Sequence, residues 1–125
     1  MHKYLAGAGL NGAMGVSIGA WAAHGLQNRL SPEALEWMRT GVSYQLWHAA
    51  ALLGLAAVAV HHFSRLIAVA GIALGLGAFL FSGSLYLYAW TGQSGFALVT
   101  PVGGALMIVG WLAVLAAAFR VRGQS

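Results

Sequence analysis

The chain has no cysteine, and only two of its 125 residues, Glu33 and Glu36, carry acidic side chains. Without thiols there is no disulfide, no thiolate metal site and no cysteine nucleophile. With both carboxylates in one short polar stretch, no pair of buried acids is available for general acid and base work. Charge of either sign is scarce, at 6% of residues, where a soluble domain carries roughly 25%. So few charges cannot cover a water-facing surface, and a disordered chain would be polar instead of apolar. The six Lys and Arg stand singly at the ends of apolar runs. That distribution fits membrane orientation and not a phosphate-tracking patch, so nucleic acid is excluded as a partner.

What the chain has is apolar length: 60% of it is hydrophobic, with a mean hydropathy of +0.78. Four runs, 4–26, 41–60, 66–90 and 96–119, approach or exceed the ~20 residues that cross a bilayer as a helix. The expectation is an all-α integral membrane protein, a four-helix bundle forming a single transmembrane domain over 1–125. The basic start (His2, Lys3) and the small residues Ala20 to Ala23 also fit a cleavable signal peptide, but the run is read as a retained span. Ser31-Pro32-Glu33 is a helix start: a hydroxyl N-cap, proline at the first helical position, and an acid at the positive dipole end. From there a short interfacial helix is expected over 32–40, ahead of the second span. His61 and His62 adjoin Arg65 at an interfacial connector, Thr91 to Gly95 forms a turn, and Pro101 falls in the first turns of the last run.

Counting Lys and Arg across four antiparallel spans gives Lys3, Arg65, Arg120 and Arg122 on one side and Arg29 and Arg39 on the other. The positive-inside bias places both termini in the cytoplasm. Glycine supplies 18 residues. Gly15 and Gly19 are four apart, as are Gly71 and Gly75, so spans one and three are expected to pack with close backbone approach, with Gly103 and Gly104 adding a small face on span four.

A rise of 1.5 Å per residue converts position into depth. Tyr44 and Gln45 fall roughly 5 Å below the outer boundary, His48 roughly 10 Å below it, and Ser82, Ser84 and Tyr86 roughly 6 to 12 Å from it. Thr100 lies about a turn into span four, and His24 near the outer end of span one. Four helices thus bring polar side chains to one level in the outer half of the bilayer. Such groups must face the bundle interior and bond to one another. They read either as interhelical glue or as a ligand, proton or ion site. Paired His24 and His48 could bind haem or a metal, but no third ligand accompanies them, so no cofactor and no metal is expected. Ser82-Gly83-Ser84 lacks the surroundings of a nucleophile elbow, and no catalytic residue is assigned.

At these residues the chain resembles the YgdD-like family of small bacterial inner-membrane proteins, a domain of unknown function. The resemblance rests on Gly19-Ala20-Trp21, Ala23-His24-Gly25-Leu26, Trp37 with Thr40-Gly41, Tyr44-Gln45 with His48, Phe81-Ser82-Gly83-Ser84-Leu85-Tyr86, Thr100-Pro101-Val102-Gly103-Gly104 and Gly110-Trp111. Ala22 and Met107 depart from its pattern. It implies a four-helix inner-membrane protein and supplies no activity.

The functional expectation is a non-enzymatic, homo-oligomeric protein of the bacterial inner membrane. Its polar cluster, His24, Tyr44, Gln45, His48, Ser82, Ser84, Tyr86 and Thr100, would bind a lipid headgroup or small polar ligand. The rivals are an oligomeric, proton-coupled transporter, suggested by the buried histidine, and an accessory or assembly subunit with a membrane-protein partner, suggested by the small faces.

Overall fold

Ser31 accepts a hydrogen bond from the Ala34 amide at 3.1 Å, with Pro32 in the first turn, and the helix it opens sets the geometry of the molecule. In the computed structural model, which describes residues 2–123, the elements are α1 (His2–His24), α2 (Pro32–His61), α3 (Arg65–Thr91), a 3-10 turn at Ser94–Leu98 and α4 (Thr100–Gly123). All the regular elements among the described residues are helical.

The separate interfacial helix expected over 32–40 is instead the first part of α2, which continues without a break to His61. Gly41, at the expected junction, is no helix breaker. A Cβ there would lie 2.7 Å from Tyr86 Cε1, so the glycine admits the Tyr86 ring against the α2 backbone. A lone glycine weakens a helix by only about 1 kcal/mol, which such packing can offset. At 30 residues α2 is about 45 Å long, more than the ~30 Å hydrocarbon core. Its first turns expose Glu36 and Arg39, paired at 3.2 Å, while Ala34, Leu35 and Met38 turn inward to join Ala22, Leu26, Tyr86 and Ala89 in a buried cluster.

A second cap goes unread in the sequence: Ser64 Oγ accepts from the Ile67 amide at 3.2 Å and starts α3. Gly92, at φ 72°, ends α3 in the left-handed conformation that glycine adopts most readily. The turn expected at 91–95 thus begins one residue later, and the 3-10 turn occupies the first residues of the expected fourth run. Helix α4 proper starts at Thr100, with Pro101 in its first turn, where a missing backbone donor costs little.

Along the chain α1 and α2 are antiparallel neighbours, α3 packs against α1, α2 and α4, and α4 lies along α3. The second buried cluster, around Tyr4, Leu52, Ile67, Leu74 and Ala117, occupies the end opposite to Leu26. The closest backbone approach lies between α3 and α4 and not, as expected, between the first and third helices. A Cβ on Gly103 would lie 2.8 Å from both the Gly77 carbonyl oxygen and Phe81 Cα. Gly15 and Gly19 face Leu46 and Val42 of α2, Gly75 faces Leu52, and Gly71 receives the ring of Tyr4. Gly104 meets only the edge of the Phe81 ring, at 3.8 Å. Helices α1 and α3 therefore touch through side chains set against glycine, not backbone to backbone.

By length and composition three segments can cross a membrane: Pro32–His61, Arg65–Thr91 and Ser94–Arg120. Helix α1 falls short of that apolarity, because His2, Lys3, Asn11, His24 and five glycines dilute its Ala, Leu and Val.

Candidate functional site: a buried polar chain across three helices

The center of the site is Gln45, fully buried on α2. Its amide Nε2 donates to Asn11 Oδ1 of α1 at 3.0 Å, and its Oε1 accepts from the Tyr86 hydroxyl of α3 at 2.8 Å. Asn11 Nδ2 in turn donates to the Gly7 carbonyl at 2.9 Å and to the Gly75 carbonyl of α3 at 3.4 Å. The chain runs in one direction, from Tyr86 through Gln45 and Asn11 to a backbone oxygen, and ties three helices together. Next to it Ser82 Oγ donates to the Gly41 carbonyl at 2.6 Å, a second link between α3 and α2.

Two smaller groups reach α4. Ser84 and Thr100 hydroxyls are 2.6 Å apart, and Ser84 also donates to its own helix at Phe81 O. His48 is held on both ring nitrogens: Nδ1 lies 2.7 Å from the Tyr44 carbonyl, and Trp111 Nε1 lies 3.1 Å from His48 Nε2. A carbonyl only accepts and an indole N–H only donates, so the ring is the neutral tautomer with its proton on Nδ1. Tyr44 packs its ring on Phe81 and beside His48, with ring centroids 4.7 and 6.2 Å apart. Between these residues, Met107, Ile108 and Gly104 lies an opening of about 250 Å³.

The residues expected at one site therefore separate. Gln45 and Tyr86 belong to the buried chain, Ser82 makes its own link beside it, Ser84 with Thr100 and His48 with Tyr44 lie at the α4 side, and His24 joins none of them. His24 is exposed, its Nδ1 3.0 Å from the Ala20 carbonyl one turn back. Asn11 and Trp111 belong to the arrangement although the sequence reading left them out. Asn11 is the strongly polar side chain in the middle of α1, which was the available signal; nothing in the sequence paired Trp111 with His48. Among the described residues every buried side-chain nitrogen and oxygen has a partner, and no three His, Asp or Glu gather as metal ligands. Burying these groups satisfied avoids the penalty of orphaned polar atoms in an apolar setting.

A family model described as "Protein of unknown function (DUF423)" matches residues 18–104, a stretch that holds Gln45, His48, Ser82, Ser84, Tyr86 and Thr100. The chain belongs to the DUF423 family. Relatives cover almost its whole length. A "UPF0382 membrane protein" of Haemophilus influenzae is 38% identical over 95% of each chain. The "UPF0382 inner membrane protein YgdD" of Escherichia coli K12 is 37% identical over 92% of this chain and 88% of its own. A UPF0382 membrane protein of Staphylococcus saprophyticus is 40% identical over 90% and 92%. No solved structure matches the chain. This DUF423 protein is thus a membrane protein of an uncharacterised family, as the sequence resemblance implied.

Proposed function

We infer that this DUF423 protein is a non-enzymatic scaffold of the bacterial inner membrane that acts through its membrane-facing surface. The observation that carries this reading is the closed polar chain Tyr86, Gln45, Asn11, whose donors and acceptors are used on one another. A transport path or a polar ligand site needs donors and acceptors free to meet a passenger. Here they hold α1, α2 and α3 in register.

Four crossings complete this reading. Helix α1 lies antiparallel along α2, with Gly7, Gly15 and Gly19 facing Leu52, Leu46 and Val42, so it crosses wherever α2 does. With four crossings both termini lie on one side, and the excess of Lys and Arg there assigns that side to the cytoplasm. A C-terminal reporter active only outside the cytoplasm would overturn this topology. On this reading the partner is lipid, a second copy or another membrane protein.

A second reading keeps part of the ligand site. The opening beside His48, Tyr44 and Trp111 has the size of a small headgroup pocket and contains the half-exposed Tyr44. Native mass spectrometry of protein extracted from its own membrane, wild type beside Gln45→Ala and His48→Ala, separates the two readings. The scaffold reading expects the same bound species in all three, with the variants less stable. A small polar molecule held by wild type and lost from His48→Ala would sink it in favour of the pocket, which His48 lines and Gln45 does not.

A further inference from the structure

Three cavities lie end to end between α1 and α3. The first, about 290 Å³, is lined by Lys3, Tyr4, Phe63 and Ile72 among others. The second, about 300 Å³, shares Lys3, Gly71 and Ile72 with the first and continues past Leu10 and Gly75 to Leu76 and Phe79. The third, about 390 Å³ and almost wholly apolar, takes over at Phe79 and runs beside Met14 and Ile18 toward Leu87. Together they make one groove along the bundle. The groove is open to the side, where Ile72 and Leu76 are exposed.

Two features fix the chemistry of what fits. The walls are apolar over most of their length, and Ile72 and Leu76 are half-exposed or more, so the groove suits hydrocarbon. Its mouth is cationic. Lys3 lines it, and Arg65 and Arg120 stand at the same end of the bundle, while both acidic side chains, Glu33 and Glu36, lie at the other end, with Arg29 and Arg39. Length agrees as well: from Lys3 to Met14 is about 16 Å along α1, close to the ~15 Å half-thickness of a hydrocarbon core. We propose that this groove binds one anionic glycerophospholipid of the leaflet on the Lys3 side. Its phosphate sits beside Lys3, and one acyl chain lies across Ile72 and Leu76 toward Phe79. Asn11 and Tyr86 of the buried polar chain form part of the groove wall, but neither is asked to contact the headgroup, so the assignment goes beyond the scaffold reading and does not depend on it.

The test uses the full chain in mild detergent, offered equal amounts of phosphatidylglycerol and phosphatidylethanolamine and read by native mass spectrometry, with melting temperature as the control for folding. Wild type is expected to retain one phosphatidylglycerol in preference to phosphatidylethanolamine. Lys3→Ala lowers that preference about five-fold, the effect of one cation near an anionic headgroup. Ile72→Trp, which adds bulk at the junction of the first two cavities, removes the retained lipid at an unchanged melting temperature. If Ile72→Trp lowers the melting temperature, Lys3→Ala alone decides. Equal retention of the two lipids by wild type, a preference unmoved by Lys3→Ala, or a lipid-free dimer occupying the groove would each overturn the assignment.

Discussion

Trp111 donates its indole N–H to His48 Nε2 at 3.1 Å, so a residue of α4 sets the tautomer of a histidine on α2. The two rings meet edge to face with centroids 5.7 Å apart. Replacing Trp111 with Phe keeps an aromatic ring and removes the donor. Nitrogen NMR of the imidazole should find the Nδ1–H form in the wild-type protein and a mixture of tautomers in Trp111→Phe. An unchanged His48 spectrum would show that Trp111 does not govern the ring.

Gln45 is where three helices depend on one side chain. Gln45→Leu keeps roughly the same volume but leaves Asn11 Oδ1 and the Tyr86 hydroxyl without their partner. The loss should be about 1 to 3 kcal/mol, since a buried group stripped of its partner bears its desolvation cost. The double variant Asn11→Leu with Gln45→Leu should recover part of that, because removing both partners orphans fewer groups. Unfolding in detergent, followed as a four-protein cycle, measures the coupling. Strict additivity would mean the 3.0 Å bond is not formed in the membrane.

How these residues met explains what the sequence could and could not tell. The helical class and the Ser31 helix start followed from local chemistry: apolar runs of spanning length, and a hydroxyl ahead of proline and glutamate. The meeting of Gln45 with Asn11 did not follow, because a helix counted from Gly41 leaves Gln45 only four residues in. Counted from Pro32, where α2 begins, Gln45 lies about 20 Å along its helix, and Asn11 lies about 20 Å from the His24 end of α1. The two amides meet because both counts run from the same end of an antiparallel pair. A count from Gly41 set Gln45 near a helix end and apart from Asn11, and gave weight to His24, whose ring turns back on its own helix. Glycine spacing misled for a related reason: four-residue spacing marks a face but not which neighbour faces it.

Ser31 makes a separable contribution. Its hydroxyl occupies one of the otherwise unpaired amides at the start of α2, and Ser31→Ala should cost about 1 kcal/mol. Thermal unfolding checks the magnitude, and hydrogen exchange at the Ala34 amide checks the cause. Exchange unchanged at Ala34 would move the origin of any loss elsewhere.

Gly103 and Gly104 are adjacent in sequence yet should respond differently to the same methyl group. At Gly103 a Cβ would press on the backbone of α3, within 2.8 Å of the Gly77 oxygen and Phe81 Cα, and backbone atoms cannot swing aside as a side-chain tip can. Helix α4 would have to move off α3, at a cost of about 1 to 3 kcal/mol for overpacking. At Gly104 the nearest atom is the Phe81 ring at 3.8 Å, an ordinary contact. Alanine there should be neutral or slightly stabilising, since it is also the better helix former. The comparison therefore separates packing from propensity: both substitutions carry the same helix preference, and only one meets backbone. If Gly103→Ala and Gly104→Ala unfold alike, the close approach of α3 and α4 at Gly77 is not what holds the fourth helix in place.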